Sequence, residues 1–491
     1  MKLYFIGHDD RYALEQLQLA LFPEETMEPV DAPFEGDGAV SALFVGKKFL
    51  TATARITLRG KTAYGQKRLS VEKADVPSRR RLLQNAYYEA AIQLRDPPQW
   101  GSLSGVRPTK LTSKYLLEGG TLAGADKLLR DRYYVSPDRR KLCLEASIAT
   151  VDAVKKLRPN DISLYIGIPF CPTRCAYCSF VSAGIEHAGK LLPDFLDALE
   201  KEIAHVGELL KESGKTVRTL YIGGGTPTTL SNPQMIRLMD AIDRHFDLSE
   251  LIEYTVEGGR PDTLDLPKLR TIRSKGCERM SINPQTMNDK ILETIGRRHT
   301  AQQTVEAFLQ AKEVGFEGIN MDLIAGLPGE TRESFRETLD KVLSLDPGNI
   351  TIHTLAMKKG ADLFFARLGL PEEQDVRAML AEGESLLREA GYKPYYLYRQ
   401  KYMSGSFENV GWCKPGLEGL YNIYMMEEIH SIISLGGGAM TKINLPGGKL
   451  ERFHNPKFPK EYIERIDDIL EQKTQAFELM DEWKDECLWT L

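Results

Sequence analysis

The chain has 491 residues, 42% of them hydrophobic and 27% charged, a composition and length that predict two or more globular domains. Its formal charge of -5 gives no reason to expect a nucleic-acid partner or an acidic membrane surface. A chain this long can bury a core without staples, so its seven cysteines are not needed as a disulfide framework; three fall within eight residues, which points to chemistry in a reducing compartment.

The opening MKLYFIGHDDRY loses its apolar run at Asp9 and Asp10, which predicts neither a signal peptide nor an anchor. No later segment has the uninterrupted apolar length of a membrane span, so the expectation is a cytoplasmic protein. SALFVGKKFLTATARITLRG predicts short strands with basic turns, whereas residues 79–94 and 138–157 read as helices. Residues 1–157 are therefore expected to form a separate α+β domain, joined through LRPNDIS (157–163).

From Leu164 the pattern changes. Strand-length apolar runs at 164–170, 219–225, 253–259, 279–284, 319–326 and 350–357 alternate with amphipathic helical stretches. Each crossover is long enough to return the chain parallel, and right-handed connection is the default. The predicted fold class is α/β: a partial parallel (β/α)6 barrel over 158–360, with the N-terminal α+β domain before it. A C-terminal segment (361–455) and a helical, acidic tail (456–491) follow.

The sharpest motif is IPFCPTRCAYCSF (168–180), a C-x3-C-x2-C loop directly after the first of these strands. Thiolates are the natural ligands of a [4Fe–4S] cluster, and Cys171, Cys175 and Cys178 leave one of its four irons open to a small molecule and to electron transfer. A structural zinc site would be closed by four ligands; no second C-x2-C completes one, and the nearest candidate, His187, stands nine residues on.

Polar residues then recur at strand ends. IGGGTPT (222–228) offers Gly224, Gly225 and Thr226, where glycines let a ligand lie against the backbone. Glu257 closes the third strand, Gln285 follows the fourth, and Arg297 stands in GRRH. Asp322 lies inside the apolar strand NMDLIAG, where a charge is costly unless it points into a polar mouth. In a parallel barrel the later part of each strand is the functional face, and independent charges would not all fall there by chance.

C-x3-C-x2-C with an aromatic before its last cysteine resembles the radical SAM signature, in which S-adenosylmethionine (SAM) occupies the open iron. YIGIPFC, IGGGTPT and INMDLIAGLPGET are similar to the oxygen-independent coproporphyrinogen III dehydrogenase (HemN-like) family, and SGVRPTK (104–110) resembles its HemZ subgroup. The resemblance implies a [4Fe–4S] cluster on the three cysteines and one or two SAM molecules. Tyr165, Gly224, Gly225, Thr226 and Glu257 would serve the first, and Gln285, Arg297 and Asp322 a second. Tyr177 would shield the cluster, and Ala356 and Met440 would line the SAM sites. Tyr165 and Asp322 are the implied catalytic residues.

The implied reaction is reductive cleavage of SAM, hydrogen abstraction from a propionate β-carbon of coproporphyrinogen III, and loss of carbon dioxide and an electron to leave a vinyl. Two rounds give protoporphyrinogen IX. The implied partners are that tetrapyrrole or a relative of it and an electron donor or acceptor protein, with no nucleic acid and no membrane span. Arg174, Arg298, Lys358 and Lys359 could meet substrate carboxylates. The aromatic run 392–402 could wall a flat ligand but reads better as a packed strand. One departure stands at Phe180, where the dehydrogenases carry a further cysteine and the related haem chaperones (HemW-like) do not. A haem chaperone, or a radical SAM enzyme on another substrate, therefore remain alternatives.

Overall fold

The computed structural model describes residues 1–22, 24–178, 183–356, 369–399 and 407–483. Two compact units emerge: Met1–Leu144 with Arg399–Phe407, and Glu145–Tyr398 with Glu408–Leu491.

In the first unit β1 (Lys2–Ile6), α1 (Arg11–Leu21), β2 (Glu28–Val30), β3 (Gly38–Val45), β4 (Phe49–Leu58), β5 (Lys61–Ser70) and α2 (Val76–Ala91) come first. The strands form a sheet in the order β2-β1-β3-β4-β5, with β3, β4 and β5 antiparallel. Alternation works as expected: Leu50, Ala52, Ala54 and Ile56 of β4 are buried with Leu83, Ala86 and Tyr87 of α2. The small side chains allow close approach of helix to sheet. Helices α3 (Pro108–Leu117) and α4 (Leu122–Tyr133) follow, and the division between the units falls within α5 (Pro137–Val154).

The second unit is built on β/α repetition. Its elements are β6 (Asp161–Ile168), β7 (Phe170–Cys171), β8 (Ala183–Gly184), α6 (Ile185–Ala188), α7 (Leu192–Ser213), β9 (Thr216–Gly224), α8 (Asn232–His245), β10 (Glu253–Gly259) and α9 (Leu266–Ser274). Next come β11 (Arg279–Ile282), α10 (Asp289–Thr294), α11 (Ala301–Val314), β12 (Gly318–Ala325), α12 (Arg332–Leu345) and β13 (Asn349–Thr354). The chain continues through α13 (Glu373–Glu389), β14 (Lys393–Arg399), β15 (Glu408–Cys413), α14 (Leu420–Glu427), β16 (Ile432–Gly436), β17 (Met440–Leu445) and β18 (Lys449–His454). It closes on α15 (Pro459–Glu464) and α16 (Ile466–Glu482).

Strands β6, β9, β10, β11, β12 and β13 lie side by side and parallel in sequence order, the six predicted strands of the α/β fold. All six therefore point their C-terminal ends the same way. The C-terminal segment extends this sheet instead of merely following it. β16 pairs parallel with β6 on one side, and β15 pairs antiparallel with β13 on the other. Core side chains such as Leu164, Ile166, Ile222, Val256 and Leu323 are fully buried, which fits strands covered on both faces. Among the described residues no helix is long and apolar enough to cross a membrane.

Candidate active site

The cysteine loop begins where β6 ends. Cys171 sits in β7, and Cys178 donates its backbone N–H to the Cys175 carbonyl at 3.0 Å, a tight turn between the last two cysteines. Segments from other strand ends tie the loop down. Ala176 N–H donates to the Ile295 carbonyl at 3.0 Å, Thr173 Oγ1 to that of Gly296 at 3.4 Å, and Arg260 Nη1 to Thr173 Oγ1 at 2.5 Å. Phe180 lies outside the described residues, as do Lys358 and Lys359.

The IGGGTPT segment lies directly against this loop. Gly225 N–H donates to the Ile168 carbonyl at 2.8 Å, Thr226 N–H to that of Phe170 at 2.7 Å, and Thr226 Oγ1 to Cys171 Sγ at 3.5 Å. A Cβ on Gly225 would stand 2.6 Å from the Phe170 oxygen and 2.9 Å from Cys171 Sγ, so only glycine permits this approach. Gly224, at φ +118°, gives its N–H to Glu257 Oε2 at 3.2 Å. Burial and then the charge of Asp322 push the Glu257 carboxyl up to about 8.

Three tyrosines stack beside that carboxyl. Tyr165 and Tyr221 have ring centroids 6.1 Å apart, Tyr165 and Tyr421 6.2 Å, and Tyr221 and Tyr421 4.6 Å. Burial, and then the charge of Glu257, raise the Tyr165 phenol well above its ordinary range. Tyr221 was readable in the sequence as a repeat. LYIG occurs at 164–167 and 220–223, and the two copies pair in register, Tyr165 opposite Tyr221.

Asp322 and Gln285 meet through their backbones, Gln285 N–H donating to the Asp322 carbonyl at 2.9 Å. Gln285 is a non-glycine residue at φ +69°, a left-handed conformation typical of constrained sites. Asp322 Oδ1 accepts from Asn320 Nδ2 at 2.7 Å and stands 3.7 Å from His353 Nε2, whose other nitrogen faces the Tyr398 hydroxyl at 3.5 Å. Burial alone would raise Asp322, but His353, Asn320 and Thr351 outweigh it and hold the carboxylate below its usual range. His353 was not singled out in the sequence. Its signal was alternation: Thr351 and His353 are two apart on β13, and both meet the Asn320–Asp322 pair.

Arg297 is buried behind the cysteine loop. Its Nη1 donates to the Asn283 carbonyl at 2.6 Å and its Nη2 to the Tyr177 hydroxyl at 3.0 Å, with the Cys175 thiol beside it. Tyr177 packs against the apolar group of Ile291, Leu292, Ile295, Ile324 and Leu327. The next residue, Arg298, instead pairs with Glu186 at the exposed surface. His299 turns inward again, and burial with the Arg297 charge holds its imidazole down at about 3.

The remaining expectations are less tightly gathered. Ala356 follows the end of β13, where Leu355 N–H binds the Ala325 carbonyl. Met440 opens β17 and its carbonyl accepts from Ser434 Oγ; the residues of that turn packed on β6 are Gly436 and Gly437, next to Gly167 and Pro169. Arg174 is exposed, and Tyr395 and Tyr396 of the aromatic run are buried in β14, a packed strand.

The oxygen-independent coproporphyrinogen-III oxidase-like protein HemZ of Bacillus subtilis (strain 168) is 40% identical over 386 residues, 77% of each chain. This chain belongs to the HemN-like family. A model of the radical SAM superfamily matches residues 165–342, the stretch that carries all three cysteines and the strand ends through Asp322. The solved coproporphyrinogen III oxidase HemN of Escherichia coli superposes with a TM-score of 0.52 at 26% identity, covering 66% of this chain and 73% of that one. The haem chaperone HemW of Bacillus subtilis (strain 168) is also similar, 33% identical over 53% of this chain and 66% of its own length.

Membership of this HemN-like radical SAM family implies a [4Fe–4S] cluster and SAM. The donor set fits them: three thiols in eight residues, a glycine cradle against Cys171, and no carboxylate in the loop. Among the described residues no three His, Cys, Asp or Glu side chains gather as a single-ion site. A cubane cluster does not ask for that, because each thiolate binds a different iron and the ligands stand farther apart.

Proposed function

We propose that the chain is an oxygen-independent coproporphyrinogen III dehydrogenase, converting two propionates to vinyls to give protoporphyrinogen IX. The observation that carries this reading is the extent of likeness to the HemZ protein, which covers more of the chain, at higher identity, than the likeness to the B. subtilis haem chaperone. Cys171, Cys175 and Cys178 would hold the cluster, and Tyr165, Gly224, Gly225, Thr226 and Glu257 the SAM beside it. Bound there, these cofactors supply reductive cleavage of the sulfonium and a carbon-centred oxidant strong enough to take hydrogen from a propionate β-carbon.

The chain's own residues do the rest. The tyrosine stack would line that site with aromatic faces, while Glu257 would offer an acceptor to a cation or to ribose hydroxyls. Asp322, held ionised, keeps its oxygens fixed by Asn320 and turned toward His353 Nε2. A second reading, a haem carrier, draws on the chaperone relatives and on Phe180.

Anaerobic incubation of the reconstituted protein with SAM, a reductant and coproporphyrinogen III tests the proposal. Protoporphyrinogen is the expected product. Deoxyadenosine without decarboxylation would assign another substrate, and stable haem binding without turnover would assign the carrier.

A further inference from the structure

The first unit gathers much of the chain's exposed apolar surface at one end. Strand register shows where. β1 and β3 run parallel toward the same end, β1 stopping opposite Ala42, three residues short of the end of β3; β4 starts across the turn from the end of β3, and β5 finishes opposite the start of β4. Helices α1 and α2 begin just after β1 and β5, so six chain ends meet there. Ile6, Tyr12, Phe44, Val45, Phe49 and Val76 all lie at these ends and are exposed. Phe44, Val45 and Phe49 are 53%, 68% and 51% exposed on a single hairpin tip, FVGKKF, where burial would be the default for such residues. The tip is held by Gly46 N–H to the Phe49 carbonyl at 2.9 Å and Val71 N–H to that of Lys48 at 3.1 Å.

The charge of the hairpin strands themselves is one-sided. Residues 38–71 contain seven Lys and Arg and no Asp or Glu, a local bias that the whole-chain charge of -5 conceals. Lys47 and Lys48 form the turn itself, and Arg68 lies one strand beyond Thr51, which stands opposite Phe44. Acidic residues at this end include Asp10, paired with Arg80 at 3.1 Å, and Asp75, which caps α2 by accepting from Ser78 N–H; Asp9 and Glu72 stand nearby.

We propose that this end of the first unit is a peripheral membrane-docking surface. The hairpin tip enters the interfacial layer of an anionic bilayer, and its lysines meet the lipid headgroups. A convex tip with apolar side chains between basic ones suits a soft interface, whereas a stable protein partner requires about 800 Å² of complementary surface. Single-stranded nucleic acid binds by stacking successive bases on aromatic faces, whereas here the aromatic Tyr12, Phe44 and Phe49 are interleaved with Ile6, Val45 and Val76, which offer no such face.

Sedimentation of the full chain with phosphatidylcholine vesicles, with and without phosphatidylglycerol, tests this. Binding to the anionic vesicles should exceed binding to the neutral ones by about ten-fold and weaken with salt. Phe44→Ser with Phe49→Ser should lower it at least about ten-fold, with circular dichroism and thermal midpoint unchanged. Lys47→Glu with Lys48→Glu should abolish the anionic preference.

No vesicle binding, or binding indifferent to either pair, overturns the proposal. So does a dimer in analytical ultracentrifugation that the serine pair dissociates, which would make a second copy the occupant. Tighter binding of a labelled single-stranded oligonucleotide, lost in the lysine pair, overturns it in favour of nucleic acid. Should the serine pair disturb folding, Phe49→Trp decides: its emission should shift to the blue on anionic vesicles and be quenched by brominated lipid, and an unshifted, unquenched signal rejects insertion.

Discussion

Arg297 carries a full charge into a place where, among the described residues, no carboxylate meets it. Arg260 nearby is neutralised by Asp262, at 3.0 and 2.8 Å, but Arg297 donates to carbonyl and phenol oxygens beside a thiol, with no such carboxylate among the described residues, and its Nε is buried without a hydrogen-bond partner. A buried charge in that condition calls for an anion, and the negative charge of a thiolate-held cluster beside Cys175 would answer it. Arg297→Met should then lower the cluster's midpoint potential by about 60 mV, a tenfold change in a one-electron equilibrium, while iron content holds. An unchanged potential with weakened SAM binding would place the charge against SAM instead.

Glu257 makes a different prediction. Its carboxyl sits at about 8 against an ordinary 4.5, so its contribution to stability is complete below 4.5 and is lost as pH rises through 8. Without SAM, wild-type resistance to denaturant should fall across that window relative to Glu257→Gln; parallel pH profiles would reject the raised value. SAM, a cation, should bind the wild type more tightly as pH approaches 8, and the Gln variant should lose that trend. Asp322→Ala should keep its iron and lose turnover, and full turnover would remove Asp322 from the site. Of these side chains Glu257 was legible as a carboxylate at a strand end and Asp322 as a charge inside an apolar strand, whereas Arg297, beyond α10, was legible only as part of the family pattern. His353 was marked only by its alternation with Thr351 on β13, and Tyr421 was not marked at all, because nothing in its local sequence separates a mouth residue from an ordinary helix residue.

At the scale of elements, the six parallel strands were legible because covered strands read as continuous apolar runs between amphipathic helices. β16 was not, since a five-residue strand before three glycines looks like a loop. Nor did α16 show its use. It carries Lys473, fully buried, whose ammonium donates to the Ser434 carbonyl at 2.7 Å and Asn455 Oδ1 at 3.0 Å and faces Glu202 at 3.3 Å. Glu202, on α7, accepts from Gly436 N–H at 2.8 Å and the Tyr462 hydroxyl at 2.5 Å. A buried pair of this kind braces the Gly436–Gly437 turn against Gly167 and Pro169, just ahead of the cysteine loop. Glu202→Gln alone leaves the lysine charge uncompensated and should cost about 3–5 kcal/mol, whereas Glu202→Gln with Lys473→Met should recover much of it. A double-mutant cycle in denaturant measures this; additive losses would mean that the two groups do not act as a pair.

For the whole molecule, the decisive feature is that the cofactor residues and the exposed hairpin tip belong to different compact units. The first unit has its own core, in which Leu14, Leu17 and Leu21 of α1 join Leu50 and Ile56 of β4 and Leu83 and Tyr87 of α2. Every residue assigned here to cluster or SAM lies in the second. Composition averaged a basic, acid-free stretch into an acidic total and so concealed the chemistry of the first. Two cores of this kind predict two unfolding transitions in calorimetry, because cooperativity follows the contiguous core. A ligand that binds only folded protein raises the transition of the unit that holds it. Reconstitution of the cluster and addition of SAM should therefore move one transition upward and leave the other in place, and Cys175→Ala should abolish the shift together with the cluster's visible absorbance. A single transition that moves as a whole would show that the two units unfold as one cooperative body, and the separation drawn from their cores would have to be abandoned.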